Sequence, residues 1–311
     1  MTELHEYTEE FFDYIERGSI TSAKRFSALI VPLLKIKSLL DVGCGRGAWL
    51  REWVNAGVEI AQGVDGPYVR RESLLIPPQD FTAVDLSKKF NLGRRYSLVS
   101  SLEVGEHLPR SASEGFVSSL VAHSDLILFS AATPGQGGEN HINEQPLCFW
   151  QRAFATHGYV AFDAIRPKFR RDPLVEPWYK FNSILYASPA IIPSLPESVL
   201  ETKVIQGPVQ EIGDLRWRAR RSILRILPHR TVTMLSKWNY RRLNFRIPNF
   251  DALGKLCLDP ASGGPRLESV QRISAVVLAD RHFPRALVGD SILGDWVDAG
   301  GSYGAAATRI F

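Results

Sequence analysis

Cysteine is scarce: Cys44, Cys148 and Cys257 are the only three in 311 residues. Scattered singly, they offer neither a disulfide framework nor the paired spacing of a zinc ribbon. Long apolar runs are missing too. The best, 126–132, is strand-sized, against the roughly 18 residues a membrane span needs. The N-terminus opens on Glu3, Glu6, Glu9 and Glu10 rather than on the basic-then-apolar order of a signal peptide. The expectation is a cytoplasmic protein. A chain that is 45% hydrophobic and 23% charged is ordinary globular material, which excludes disorder throughout.

Acid is absent from one long stretch. Between Arg216 and Arg246 lie ten Arg or Lys residues and no Asp or Glu, although the whole chain carries only +4. Within it Ile212, Leu215, Ala219, Ile223 and Ile226 recur at helical spacing, with Arg216, Arg218, Arg220, Arg221 and Arg225 mostly elsewhere, and Pro228 closes the helix. Two readings stand. One is an ordinary core stripe with a solvated basic face. The other is a surface over 212–246 that meets anions, such as the inner face of a membrane.

Phe11, Phe12 and Ile15, then Phe26, Leu29 and Ile30, predict two short helices before Pro32. Strands are expected at 37–40, 58–64, 81–84, 97–102 and 126–131, with helices over 48–56 and 109–122 between them. A helix with Phe149, Trp150 and Phe154 follows Pro146, and strands at 159–164 and 181–187 close the series. Strands alternating with helices predict an α/β fold, a Rossmann-like parallel sheet with helices on both faces. Pro189, Pro193, Pro196 and Pro208 then punctuate a linker-like stretch. The organisation expected is a helical segment at 1–37, a sheet domain at 38–188, and a basic, partly helical extension at 189–311. No purpose is evident for 250–311.

Sheets of this kind bind ligands at the carboxyl ends of their strands. Asp41, Asp65, Asp85 and Glu103 all fall at or beside strand ends, so one sheet edge collects carboxylates. Singly, each is an unremarkable cap or turn residue; the ordered set of four carries the information. Gly43, Gly45 and Gly47 follow Asp41 as G-x-G-x-G, where a dinucleotide fingerprint puts its third glycine one position later. A leading acid is the wrong sign for a phosphate but suits a cation. S-adenosylmethionine has an ammonium, a sulfonium and no phosphate. Asp65, 20 residues past Gly45, has the spacing of a carboxylate that accepts ribose hydroxyls. Asp85 is placed to accept the adenine amino hydrogens, with the backbone N–H of Leu86 facing a ring nitrogen.

These residues resemble a family. Leu39-Leu-Asp-Val-Gly-Cys-Gly-Arg-Gly47, Gly63-Val-Asp-Gly66, Ser101-Leu-Glu-Val-Gly-Glu-His-Leu108 and His141-Ile-Asn-Glu-Gln145 are similar to the class I S-adenosylmethionine-dependent methyltransferases of the bacterial methyltransferase-domain type. The resemblance covers roughly 7–188. It implies a seven-stranded sheet whose last strand is antiparallel. It puts Asp41, Gly43, Gly45 and Gly47 along the methionine part of the cofactor, Asp65 at the ribose, Asp85 and Leu86 at the adenine, and Glu103 beside the cofactor.

The acceptor is narrowed by what is missing. The Asn/Asp-Pro-Pro-aromatic run of nucleic-acid amino methyltransferases is replaced by Ser101-Leu-Glu-Val. Cys148 lacks the context of a C5-methylating nucleophile and reads as a buried apolar residue. An oxygen acceptor needs a base, for which His107 and His141 are the candidates. His141, among Glu139, Asn140, Asn143, Glu144 and Gln145, is the catalytic choice; His107 reads as a loop histidine ordering a strand end. A metal at His141 and Glu144 lacks a convincing third ligand, so no metal site is assigned. Trp150, Trp178 and Tyr179 either line an acceptor pocket or form core. Arg166, Lys168, Arg170 and Arg171 meet an anionic acceptor or form a solvated loop. The function expected is methylation of a hydroxyl on a small molecule or a glycan, including a lipid-linked sugar. Rivals are an RNA or protein methyltransferase, a non-catalytic module of the same fold, and a nicotinamide-dependent oxidoreductase.

Overall fold

The structure, a computed structural model, describes residues 9–227 and 231–234. The rest of the basic stretch and the whole of 250–311 lie outside the described residues.

Seven strands form one sheet: β1 (Ser38–Val42), β2 (Ile60–Asp65), β3 (Phe81–Ala83), β4 (Leu98–Leu102), β5 (Leu126–Ser130), β6 (Val160–Phe162) and β7 (Ile184–Ala187). Their order is β3-β2-β1-β4-β5-β7-β6. The pairs β1–β2, β1–β4, β2–β3 and β4–β5 are parallel, while β7 runs antiparallel to both β5 and β6. This is the class I methyltransferase fold, with its one reversed strand where the resemblance puts it. Successive residues of the central strands feed opposite faces. Leu39 and Leu128 join Phe26, Trp49 and Trp53 on one side; Leu40, Ile127 and Phe129 join Phe116, Trp150 and Phe154 on the other. Two covered faces explain why β5 is buried along its whole length. β1 and β4 meet at the sheet's middle, where the strand order reverses, and their carboxyl ends open onto the site.

Helices α1 (Glu9–Leu34), α2 (Ala48–Asn55), α3 (Ser113–His123) and α4 (Leu147–Ala155) cover the faces. The first corrects the expectation of two helices. The chain makes one helix straight through Gly18 and Ser19, and Pro32 lies inside its last turns. Gly18 lies against the Glu176 side chain, where a Cβ would stand 2.4 Å from Oε1.

Two further helices, α5 (Arg166–Phe169) and α6 (Pro177–Asn182), occupy the segment read as an acceptor-binding or solvated basic loop. Arg166 is buried. It pairs with Asp163 at 2.7 and 2.8 Å and donates to the carbonyls of Phe181 at 3.2 Å and Gln210 at 2.7 Å. A guanidinium with that many partners is a structural tie; Lys168, Arg170 and Arg171 remain exposed.

After a short helix α7 (Glu197–Leu200), the basic segment begins with α8 (Leu215–Leu224). Its apolar stripe is not core. Leu215, Ile223 and Ile226 are 84%, 60% and 81% exposed, and the buried residue is Trp217. No helix among the described residues is long and apolar enough to cross a membrane.

Candidate active site

Asp41 is the penultimate residue of β1, its side chain is buried, and its Oδ2 has no hydrogen-bond partner among the described residues. Burial pushes its carboxyl up to about 7; the nearby charge of Asp65 adds to this and the Ser100 hydroxyl opposes it. Gly43, Gly45 and Gly47 all take positive φ (81°, 54° and 90°), which explains the alternating glycines. At Gly43 space is decisive as well, because a Cβ would meet Val104 at 2.2 Å.

Asp65, at the end of β2, closes this loop onto itself. Its Oδ2 accepts the N–H of Gly45 at 2.6 Å, and its Oδ1 accepts the N–H of Gly66 at 2.6 Å and the hydroxyl of Tyr68. Burial raises its carboxyl, and these three donors oppose the rise. Sequence reasoning misses Tyr68, whose only signal is a tyrosine three residues past the acid.

Asp85 lies past β3 in a turn. Its Oδ1 accepts from the Ser87 N–H and hydroxyl at 3.1 and 2.6 Å, and Lys88 pairs with Oδ2 at 3.0 Å. The Ser87 hydroxyl leads in holding its carboxyl below the usual range. Leu86, beside it, has its side chain buried.

Glu103 follows β4 in left-handed conformation, φ 58°. Its backbone N–H donates to the Ser130 carbonyl and hydroxyl at 3.0 and 3.1 Å, pinning it against the end of β5. Its carboxylate accepts the amides of Gln136 at 2.5 Å and Asn182 at 3.4 Å. Burial brings its carboxyl up to about 7 despite these donors.

The next turn, a single 3-10 turn at Gly105–His107, places Glu106 and His107. Glu106 is fully buried and neither carboxylate oxygen has a well-formed hydrogen bond among the described residues; its own N–H, the Ala132 N–H and the Glu103 carboxyl are the polar groups beside it. Burial, then the charge of Glu103, lifts its carboxyl well above the carboxylate range. The loop after β5 is stitched to this turn: the N–H groups of Ile142 and Asn143 donate to the Glu106 carbonyl at 2.9 and 3.0 Å. The Asn143 amide adds bonds to the Gly105 carbonyl and the Ser113 hydroxyl, both at 3.1 Å. His141 is thereby carried to His107, ring centroids 4.9 Å apart and nearly perpendicular. Its Nδ1 lies 3.1 Å from Oε1 of Glu144. Burial works upward on Glu144, but His141 and the N–H groups of Gly137 and Gly135 outweigh it and hold the carboxyl low.

The edge therefore assembles Asp41, the glycine loop, Asp65, Glu103 and His141 as the sequence groups them, and adds Glu106, Gln136 and Asn182. In the sequence Glu106 is a single letter inside the run after the fourth strand. Of the aromatic residues, Trp150 is core packed on Phe129, and Tyr179 is buried against Trp49. Cys148 is half-buried rather than buried. α8 lies over the loop after β5, with Arg221 donating to the Pro134 carbonyl at 3.1 and 3.3 Å and Arg220 to that of Gln136. Part of the basic charge thus serves the loop that carries His141.

No family model matches the sequence, and no curated protein matches it. Solved structures do match. DesVI from Streptomyces venezuelae is 16% identical, with a TM-score of 0.43, over 57% of this chain and 95% of that one. The magnesium protoporphyrin IX methyltransferase from Synechocystis PCC 6803, with bound SAM, is 17% identical, with a TM-score of 0.41, over 59% and 86%. An O-methyltransferase family protein from Burkholderia thailandensis is 12% identical, with a TM-score of 0.42, over 57% and 60%.

Proposed function

We propose that the chain is an S-adenosylmethionine-dependent methyltransferase acting on a hydroxyl group of a small molecule or a glycan. The observation that carries this is the edge itself: a buried carboxylate oxygen of Asp41 without a partner, beside a loop of three positive-φ glycines closed by Asp65. A cationic ligand fits such a place, because it supplies the charge that a buried carboxylate lacks. Asp41 and the glycines would hold the amino acid part and Asp65 the ribose. Asp85 would take the adenine after exchanging Lys88 for it, with the Leu86 N–H alongside, and Glu103 would border the sulfur.

When bound, the cofactor supplies an electrophilic methyl on a positive sulfur. What the protein adds is alignment, exclusion of water and management of the acceptor's proton. The acceptor oxygen forms the new O–C bond as the C–S electron pair returns to sulfur, and the hydroxyl proton must leave. His141, oriented by Glu144 at the carboxyl edge, is the side chain we assign to that hydroxyl.

A lipid-linked acceptor is favoured by α8, whose exposed Leu215 and Ile223, with Ile226 just past its end, stand among exposed Arg216, Arg218 and Arg225. Apolar side chains ringed by cations suit an anionic bilayer surface.

The test of the cofactor is calorimetric titration of the full chain with S-adenosylmethionine, S-adenosylhomocysteine and NAD. Binding of both sulfur compounds with NAD inert is the expected result. Binding of NAD alone would overturn the reading.

A further inference from the structure

We propose that Glu106, His107 and His141 form a divalent-cation site on the acceptor side of the edge. One ligand atom from each lies within 4.8 Å of the other two. Bonds of about 2.0–2.2 Å to a common ion would draw them roughly 1 Å closer, a movement open to a short turn and a loop that already share hydrogen bonds.

Glu106 is the independent pointer. It is fully buried with no well-formed hydrogen bond to either oxygen, and the N–H groups of Glu106 and Ala132 beside it bring no full positive charge to offset a second carboxyl at Glu103. A cation supplies that charge. The histidines complete a set in which the second shell is already built. Metal-bound imidazoles commonly donate their other N–H to a carboxylate, and Glu144 stands at Nδ1 of His141 at 3.1 Å. Ligation would then use Nε2.

Two imidazoles and one carboxylate favour a divalent first-row transition ion (Mn²⁺, Fe²⁺, Co²⁺ or Zn²⁺) over Ca²⁺, and three protein ligands leave positions open. An acceptor with two adjacent oxygens would fill them. The ion lowers the pKa of the hydroxyl it binds, so that the proton passes to water before the O–C bond forms. His141 then acts on the hydroxyl through the ion, as its ligand. This role rests on the methyltransferase reading; binding of the ion does not.

The experiment is titration of metal-free full-length protein with MnCl₂, followed by electron paramagnetic resonance and spin-echo modulation. One equivalent bound, with nitrogen couplings from two imidazoles, is expected. Glu106→Gln and His107→Ala should each weaken binding at least tenfold, with circular dichroism checking their fold. No binding, or binding without nitrogen coupling in the wild-type protein, overturns the site, and that result needs no variant. The titration with S-adenosylmethionine is run separately: cofactor binding without Mn²⁺ binding removes only the ion, and the reverse removes only the methyltransferase reading.

Discussion

Glu144 sets the orientation of His141: its Oε1 lies 3.1 Å from Nδ1 of the imidazole, while its two oxygens also accept the N–H groups of Gly137 and Gly135, each at 2.7 Å. One carboxylate thus fixes both a ring and the loop that carries it. Glu144→Gln keeps the size but not the charge. Methyl transfer to the acceptor should fall about 10–100-fold, the range for losing a partner that orients a working histidine. Cofactor affinity should stay within about twofold, since Glu144 does not meet the glycine loop. A parallel loss of cofactor binding by calorimetry would show that Glu144 supports the whole edge instead.

Asp41 makes stability depend on pH in the direction opposite to a paired carboxylate. Its carboxyl titrates near 7 when folded and near 3.8 when unfolded, with burial as the main cause. Between those values the folded chain holds a proton that the unfolded chain has lost, so stability declines as pH rises from about 4 to about 7. Thermal unfolding at pH 5 and pH 8 should give the higher midpoint at pH 5. Asp41→Asn, neutral throughout, should reduce the difference by the share due to Asp41, while Glu103, Glu106 and Asp65, whose carboxyls burial also raises, keep the remainder. An unchanged pH dependence in the variant would remove Asp41 as its source.

Much of this edge is legible in the amino-acid sequence alone. The apolar run at 126–130, bounded by turn residues, has the length and pattern of a buried strand, and alternating glycines after an acid suit a left-handed loop between strand and helix. Elsewhere the pattern misleads for physical reasons. The helical period of α8 holds, but period does not say which face turns inward. The guanidiniums of Arg220 and Arg221 turn inward to the carbonyls of Gln136 and Pro134, and Trp217 is buried against Phe181. Glu106 is illegible because no local signal separates a carboxylate in solvent from one that a following turn buries.

Tyr68 occupies an oxygen of Asp65 that the ribose reading requires. Its hydroxyl must therefore be displaced when a diol arrives. Tyr68→Phe should leave cofactor affinity unchanged or up to about threefold tighter, because a bond that had to break is gone. Asp65→Asn should weaken it at least tenfold, losing charge-assisted acceptance. Calorimetry on both variants decides the point; equal affinities for Asp65→Asn and wild type would move the ribose elsewhere.

The exposed stripe of α8 yields a prediction about surfaces. Leu215, next to the capping Asp214, and Ile223, inside the acid-free stretch, are 84% and 60% exposed, with Arg216, Arg218 and Arg225 around them. Each cation near an anionic leaflet contributes on the order of 1 kcal/mol, and inserted apolar side chains add to this. The full chain should float with vesicles containing phosphatidylglycerol and not with purely zwitterionic ones, and about 0.5 M salt should release it because the attraction is screened. Leu215→Asp with Ile223→Asp should reduce flotation at least tenfold while leaving the cofactor affinity alone, since neither side chain reaches the edge. Flotation of that double variant equal to wild type would assign lipid contact to a different part of the chain, because these two substitutions remove apolar area and two charges' worth of attraction at once.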